Sequence, residues 1–517
     1  MVKLDIKKGA YYDSVSLMII SKDVKKVPGV KEALVGMGTD LNKEISHNIG
    51  LNSNELDTVT ANDFFVVASV ENEEIWQNVL LKVEELLNKK KEATSANYYP
   101  PTLSSALKIK KDLNMAIISV PGKYAKDVAN DCLDNNINVM LFSDNVSIED
   151  EKKLKEKAVS KGLLMMGPDC GTAIINNTPL AFANVITPGD IGIVGASGTG
   201  TQEVSSLIDR YGGGVSQVIG TGGRDLKEEI GGIMFSFALQ SLIDDKNTKV
   251  ILLTSKPPAA DIQTKILKQA KDGGKPTVVS FVGADMTEIE KMGLIPSISL
   301  EDAAKKAVAI SKGKTPTTFD GFDLSDDEIE KIVLDATKGM KNTQKYLRAL
   351  YTGGTICDEA MKMLIKDLGH IYSNIPLNKE DKLADKNISK EHTALDFGDD
   401  EFTVGRAHPM IDPSLRAERI IKESLDETTK VILCDCVIGY GSNPDPSEDL
   451  CDAIIKAKKN AKDNGRVLPI VCEVLGTNKD PQSFDETCEK IKNAGAIIMP
   501  TNAQAVRLTK KIINKEI

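Results

Sequence analysis

Histidine is scarce in this chain, which has four: His47, His370, His392 and His408, with none between positions 48 and 369. Chemistry placed in that long interval has to run without an imidazole. A basic excess is missing too: 65 lysines and arginines face 75 aspartates and glutamates, for a net charge of −10. Nucleic acid is therefore not an expected partner. No segment reaches the roughly 18 uninterrupted apolar residues of a membrane helix. The N-terminus carries Lys3, Asp5, Lys7 and Lys8 with no apolar stretch behind them, so the expectation is a cytoplasmic protein with no membrane partner. The eight cysteines are scattered, most inside apolar runs (Cys132, Cys357, Cys434, Cys472). That argues against a disulfide framework and suits a reducing compartment. No Gly-x-x-x-x-Gly-Lys-Ser/Thr loop is present to hold a nucleotide.

What is present describes an ordinary globular protein, with 41% apolar and 27% charged residues over 517 positions. This length suggests about three or four domains. The predicted fold class is α/β: multi-domain, doubly wound parallel sheets with a small α+β N-terminal domain. From Asp13 to Lys91 the pattern reads strand, helix, strand, helix: a strand at Ser14–Ile20, Val30–Met37 after a Pro-Gly turn, a buried strand at Phe64–Val70 and an amphipathic helix from Glu73 to Leu87. Asn88 to Thr102 reads as a linker. From Met115 strands and helices alternate strictly, with strands at Met115–Val120, Val139–Phe142 and Leu163–Met166. The alternation resumes after Pro188, with strands at Ile191–Val194, Gly214–Ile219, Val250–Thr254 and Thr277–Phe281. It implies right-handed βαβ crossovers, with sites at the carboxyl ends of the strands. Lys312 to Asp327 looks like a second linker. Further strands follow at Tyr346–Tyr351, Val431–Cys436, Val467–Val474 and Ala496–Met499, and Asn378–Pro413 is polar and weakly periodic.

Several of these strands end in glycine and a hydroxyl. Gly192-Ile-Val-Gly-Ala-Ser-Gly-Thr-Gly-Thr-Gln-Glu203 runs from a strand through a tight turn into a helix, so free N–H groups and the positive helix end converge on one point, which suits phosphate. Thr352-Gly-Gly-Thr355 makes a second such turn that could face the first, or a simple helix cap. A lone turn of this kind is weak, because α/β packing alone calls for glycine there. In Gly398–Pro413, Asp399, Asp400 and Glu401 could hold Mg²⁺, while Arg406 and His408 could bind phosphate or a carboxylate and stabilise charge on a reacting carbonyl. The alternative for that stretch is a solvated acidic turn. Cys434-Asp-Cys436 lacks the further ligands of a structural metal and is assigned to the core. His392 is assigned to the surface.

The ordered series Gly167-Pro-Asp-Cys-Gly171, Gly192–Glu203 and Gly220-Thr-Gly-Gly-Arg-Asp225 resembles the α subunit of succinyl-CoA synthetase and its acyl-CoA synthetase relatives from about Leu113 to Lys312. With Ala349–Ala360, Gly398–Pro413 and the small N-terminal domain, the whole chain is similar to the FdrA family. The resemblance implies four domains: a ferredoxin- or ACT-like domain at 1–100, a CoA-binding-like Rossmann-type domain at 101–187, a succinyl-CoA synthetase-like ligase domain at 188–315 and a C-terminal ligase-CoA-like domain at 316–517. It also implies phosphate or substrate contacts by Ser197, Gly198, Thr199, Gly200, Gly222, Gly223, Arg224, Gly353, Gly354 and Thr355. Catalytic roles fall to Glu203, Arg406 and His408, and Asp399 and Asp400 are metal candidates. Glu203 corresponds to the glutamate that steadies a phosphohistidine loop. Where a synthetase has Gly-His-Ala-Gly, however, this chain reads Gly283-Ala-Asp-Met-Thr-Glu-Ile-Glu-Lys-Met-Gly-Leu294.

A phosphohistidine carries phosphoryl from an acyl phosphate to a distant nucleotide, so its loss stops the reaction after the acyl phosphate. The expected function is therefore an FdrA-type subunit of a carbamoyl or acyl transferase using phosphate. The resemblance suggests oxalurate and phosphate going to oxamate and carbamoyl phosphate in purine and allantoin breakdown. The expected partners are a small carbonyl substrate, phosphate, other enzyme subunits and further copies of the chain. CoA is a doubtful cofactor on this reading, since no glycine-rich CoA turn is visible before Leu113 and Val120-Pro-Gly122 follows its strand without one. Two alternatives stand beside this: an NDP-forming acyl-CoA synthetase subunit, and a non-catalytic regulatory subunit whose N-terminal domain senses a small ligand.

Overall fold

Leu17, Ile20 and Val24 recur at helical spacing and all three are buried. That spacing outweighs the short alternation of Ser14–Ile20, and the segment is a helix, Ser14–Lys25, instead of the expected strand. Val30–Met37 buries Ala33, Val35 and Met37 on alternate positions and is a strand, not a helix. In a computed structural model, which describes all residues except 11, 13, 54, 61–62, 95–99, 404–406 and 517, the chain falls into two units. One comprises Met1–Ala106 with Thr403–Ala407; the other comprises Leu107–Phe402 with His408–Ile517.

The first unit holds a three-stranded antiparallel sheet with Phe64–Val70 between Val2–Lys7 and Val30–Met37. Phe64, Val66 and Ala68 pack with Leu17, Ile20, Trp76 and Val79 of two helices, Ser14–Lys25 and Glu73–Thr94. Phe65 and Val67, on the opposite face, meet Leu51, Leu56 and Val59. The second helix continues through Asn88, where a linker was expected to begin.

The second unit contains three sheets. Met115–Ile118, Asn138–Leu141 and Met165–Met166 form a small parallel one. A seven-stranded sheet runs in the order Ile295–Pro296, Thr277–Phe281, Val250–Ser255, Pro188–Ala196, Val215–Gly220, then a hairpin of Thr172–Ile175 and Thr178–Ala181 that pairs antiparallel. A six-stranded parallel sheet runs Tyr372–Ser373, Thr393–Asp396, Tyr346–Tyr351, Thr429–Val437, Ile470–Leu475, Ile497–Met499. In each large sheet the earliest parallel strand, Pro188–Ala196 or Tyr346–Tyr351, lies inside with later strands on both sides. The crossovers therefore diverge at its carboxyl end, and that divergence opens the crevice where α/β sheets bind ligands.

One core serves both sheets. Ile191, Ile193 and Leu252 of the seven-stranded sheet join Leu207, Ala303, Ile356 and Ala505 of helices and Leu347, Ala349 and Val431 of the six-stranded sheet. Each fully buried Leu, Ile or Val side chain among them contributes about 1.5–3 kcal/mol. Polar ties reinforce it: the Asn184 amide donates to the Ile438 carbonyl and to Asp480, both at 2.8 Å, and the Val185 N–H donates to Asp480 at 2.7 Å. The stretch 312–327 is laid against helices, with the Phe319 N–H donating to Asp302 at 2.8 Å and Lys305 lying 3.2 Å over the Phe319 ring.

Candidate functional site

The Pro188–Ala196 strand and the Tyr346–Tyr351 strand each lead through a glycine-hydroxyl turn into a helix, Thr199–Arg210 and Gly354–Leu368. The N-terminal ends of these two helices meet. Ser197 Oγ and Thr355 Oγ1 are 2.6 Å apart, and Ser197 Oγ also accepts from the Gly200 N–H at 3.0 Å. Glycine is what permits the approach. A Cβ on Gly353 would sit 2.2 Å from Thr199 Cγ2, and one on Gly200 would sit 2.6 Å from Thr355 Cγ2. Thr199 and Thr355 are buried, whereas Gly198 is exposed, with no atom near its absent side chain. Two positive helix ends thus converge on one solvent-facing mouth, an anion-binding arrangement.

Further groups complete it. Asp396 ends the Thr393–Asp396 strand, beside Tyr346–Tyr351. Its Oδ1 accepts from the Gly398 N–H at 2.8 Å, and its Oδ2 lies 2.7 Å from where a Cβ of Gly354 would be. The exposed Lys256, just past the Val250–Ser255 strand, brings its ammonium within 3.6 Å of that same point. Burial pushes the Asp396 carboxyl up to about 7, opposed by the Gly398 N–H and Lys256. His408 Nδ1 accepts from the Met410 N–H at 3.2 Å, its ring lies 5.5 Å from that of Phe182, and burial pushes its imidazole down to about 4. Behind the mouth, the Thr352 N–H donates to Asp435 at 2.8 Å, and Asp435 pairs with the buried Arg416 at 3.1 Å.

Of the residues singled out from the sequence, Ser197, Gly198, Thr199, Gly200, Gly353, Gly354 and Thr355 come together, with His408 beside Gly398. Glu203 lies one turn into its helix, almost wholly buried, where Glu359 and Glu473 rather than a histidine are its electrostatic neighbours. Burial holds its carboxyl well above the usual range, with Arg210 opposing. Gly222, Gly223 and Arg224 follow the neighbouring Val215–Gly220 strand, whose end lies beside the first turn: Gly220 pairs with Gly195 and the Thr221 N–H donates to the Gly195 carbonyl at 2.8 Å. The position of a Gly222 Cβ is 2.3 Å from the Pro168 carbonyl, and Arg224 is committed to Glu151 and the Val146 carbonyl, both at 2.8 Å. Beside them Lys155, fully buried, binds Glu151 at 2.7 Å and Asp225 at 2.6 Å. Arg406 lies outside the described residues. Burial, then Asp144 and Asp399, push the Asp400 carboxyl up. Among the described residues no group of three or more His, Cys, Asp or Glu side chains is arranged to hold a metal ion.

Cys434 and Cys436 are buried in the core as expected. His392 is not a surface residue: it is half-buried, and its Nδ1 accepts from the Leu347 N–H at 3.1 Å. Lys256 and Asp396 were missed, although both sit at carboxyl ends of strands, where the topology places ligands. No described helix is long and apolar enough to cross a membrane.

A family model described as CoA binding domain matches residues 187–283, one described as CoA-ligase matches 350–512, and one described as AllF, heavy metal-associated domain matches 1–100. YahF of Escherichia coli (strain K12), an uncharacterized protein, is 44% identical over 514 residues, 99% of each chain. The ADP-forming succinate–CoA ligase subunit alpha 2 of Archaeoglobus fulgidus is 28% identical over 217 residues, 40% of this chain and 74% of that one. Among solved structures, the apo dinucleotide forming acetyl-coenzyme A synthetase 1 of Ca. Korarchaeum cryptofilum aligns over 80% of this chain and 84% of that one, at 15% identity and a TM-score of 0.33.

Residues 1–100 contain no cysteine and one histidine, His47, hydrogen-bonded to Asn52 at 2.8 Å, so they do not offer the thiolates a soft metal takes. The carbamoyl transferase reading, with its purine and allantoin setting, is overturned: the models matched at 187–283 and 350–512 are a CoA binding domain and a CoA-ligase, and the named α subunit is that of an ADP-forming succinate–CoA ligase. Loss of one relay histidine removes a step of ligase chemistry without replacing the scaffold's reaction. The doubt about CoA is overturned as well, because a CoA binding domain is matched, at 187–283 and so well after the region before Leu113 where the turn was sought. The chain is CoA-ligase-like, and it belongs to the FdrA/CoA-ligase superfamily, whose members resemble the α subunit of succinate–CoA ligase.

Proposed function

We propose that this chain is a subunit of an acyl-CoA ligase in which the paired helix ends at Thr199 and Gly354 hold phosphate against an acyl carbonyl. The abutting helix N-termini carry the reading, because two converging positive ends with Lys256 alongside suit the charge of phosphate or an acyl phosphate. In the step assigned to them, a phosphate oxygen attacks the thioester carbonyl, the C–S bond breaks, the CoA thiolate takes a proton, and an acyl phosphate remains. The reverse step makes acyl-CoA. Neither direction needs the histidine that Gly283–Leu294 lacks, since that residue serves only the onward transfer to a nucleotide. Onward transfer falls to a partner chain, in keeping with relatives named as α subunits of ADP-forming ligases. The names of the succinate–CoA ligase relatives and of an ADP-forming sulfoacetate–CoA ligase subunit of Bilophila wadsworthia, 26% identical over 188 residues, mark small anionic carboxylates as the first to try.

The test supplies purified protein with succinyl-CoA, sulfoacetyl-CoA or acetyl-CoA and inorganic phosphate, and traps acyl phosphate with hydroxylamine. Hydroxamate that depends on both phosphate and protein, and falls in Ser197→Ala, is expected. No hydroxamate from any thioester, with or without a candidate partner subunit, would refute the reading.

A further inference from the structure

His408 is the one histidine at the candidate site, and the absence of a histidine from Gly283–Leu294 makes it the obvious substitute phosphoryl acceptor. Its hydrogen bonding argues otherwise. A neutral imidazole carries a single N–H. Since the Met410 N–H donates to His408 Nδ1 at 3.2 Å, Nδ1 presents its lone pair and the proton resides on Nε2. A nitrogen that attacks phosphorus needs a free lone pair. For Nε2 to attack, Nδ1 would have to carry the proton, and the Met410 N–H would then face another N–H.

Nε2 is aimed at a defined place. It lies 2.7 Å from where a Cβ of Gly398 would be, and the Thr352 carbonyl oxygen lies 2.7 Å and Asp396 Oδ1 3.2 Å from that same point. Asp396 Oδ2 in turn borders Gly354, the first residue of one of the paired helices, and Lys256 lies next to it. From His408, Asp396 therefore leads directly to the helix end, and half-buried Gly398 keeps the way clear of a side chain.

Resting on the ligase reading above, we infer that His408 serves this site as a neutral Nε2–H donor to an oxygen of the acyl phosphate or its transition state, and is never itself phosphorylated. A neutral donor suits the location. Burial pushes the imidazole down to about 4, so it is uncharged at physiological pH, and a donor fixed in place stabilises developing negative charge without reorganising.

Two kinds of measurement test this. In the first, ¹⁵N NMR of the imidazole of the wild-type protein should show a pyridine-type Nδ1 and a protonated, pyrrole-type Nε2. Incubation with acetyl phosphate should leave no acid-labile phosphate on His408 by mass spectrometry and no phosphohistidine signal by ³¹P NMR. In the second, His408→Gln, whose amide can donate from nearly the same place, should retain hydroxamate formation within about tenfold, while His408→Ala should lose about a hundredfold, the usual effect of deleting one such donor. Phosphate on His408, the opposite tautomer, or a folded Gln variant as inactive as the Ala variant would each overturn the inference. A wild-type protein that makes no acyl phosphate would refute the ligase reading instead, and the tautomer and the labelling would still decide the state of His408.

Discussion

Replacing Gly353 by alanine should push the two helix ends apart, and the matching change at Gly198 should not. Both residues are the N-caps of their helices, so both variants bear the same modest capping loss, about 0.5–1 kcal/mol for alanine. Backbone strain is equal too, since both have negative φ, −153° at Gly353 and −74° at Gly198. They differ in sterics alone. The new methyl at 353 would lie 2.2 Å from Thr199 Cγ2 and 2.5 Å from Thr199 Oγ1, whereas nothing lies within 4 Å of the one at 198. Carbon atoms rest about 3.5–4 Å apart, so the helix ends must separate by more than an ångström. Overpacking of this kind costs about 1–3 kcal/mol. Chemical denaturation should therefore place Gly353→Ala below Gly198→Ala by about that amount. Sulfate binding by calorimetry should weaken at least tenfold in Gly353→Ala alone, since tenfold corresponds to about 1.4 kcal/mol. Equal stability and equal sulfate affinity in the two variants would refute the idea that this contact builds the anion site.

Asp396 gives sulfate binding a pH dependence of its own. With a folded pKa of about 7, the group is neutral below and charged above, so sulfate affinity should fall as pH rises from 6 to 8, and Asp396→Asn should flatten the curve. The same shift, upward from about 3.9, means the folded carboxyl holds its proton between pH 4 and 7. Its contribution to stability is present at low pH and lost as pH rises through 7, so Asp396→Asn should be more stable than wild type at pH 8, by up to about 4 kcal/mol. His392 acts in the other direction. Burial and Arg348 push it down to about 4, so its stabilising effect is complete above pH 6.5 and lost as pH falls toward 4, up to about 3 kcal/mol; His392→Gln should shrink the acid slope of denaturation midpoints between pH 4.5 and 7. Lys155→Met leaves Glu151 and Asp225 buried without their common cation and should cost about 3–5 kcal/mol, measured by urea unfolding; a loss under 1 kcal/mol would contradict the network.

Most of the second unit was legible because its strands and helices alternate in a way that leaves one topology. Tyr346–Tyr351 and Thr277–Phe281 appear with the limits read from the sequence, and the two glycine-hydroxyl turns stand at the crevices of their sheets. The first unit was less legible. Ser14–Ile20 satisfies a strand alternation and a helical spacing at once, and Val24, one turn further on and fully buried, decides between them. At the site the sequence pointed to residues that bind through their backbone, since glycine spacing is a local signal. It did not point to Asp396 or Lys256, whose relevance comes only from strands brought together in space, 42 and 98 residues from Gly354 along the chain. Arg224, which the resemblance put in contact with phosphate or substrate, pairs with the buried Glu151 and keeps part of its side chain exposed.

The contact between Ser197 and Thr355 joins positions 158 residues apart in one polypeptide. Were the two helices on separate chains, the fraction of intact sites would fall on dilution, following the dissociation constant of the pair. Held on one chain, each helix end meets the other at a fixed effective concentration, which for tethered modules lies in the millimolar range or above. The anion site should then persist in nanomolar protein, so that activity per molecule in the first half-reaction stays constant over a dilution series while any step that needs a partner chain fades.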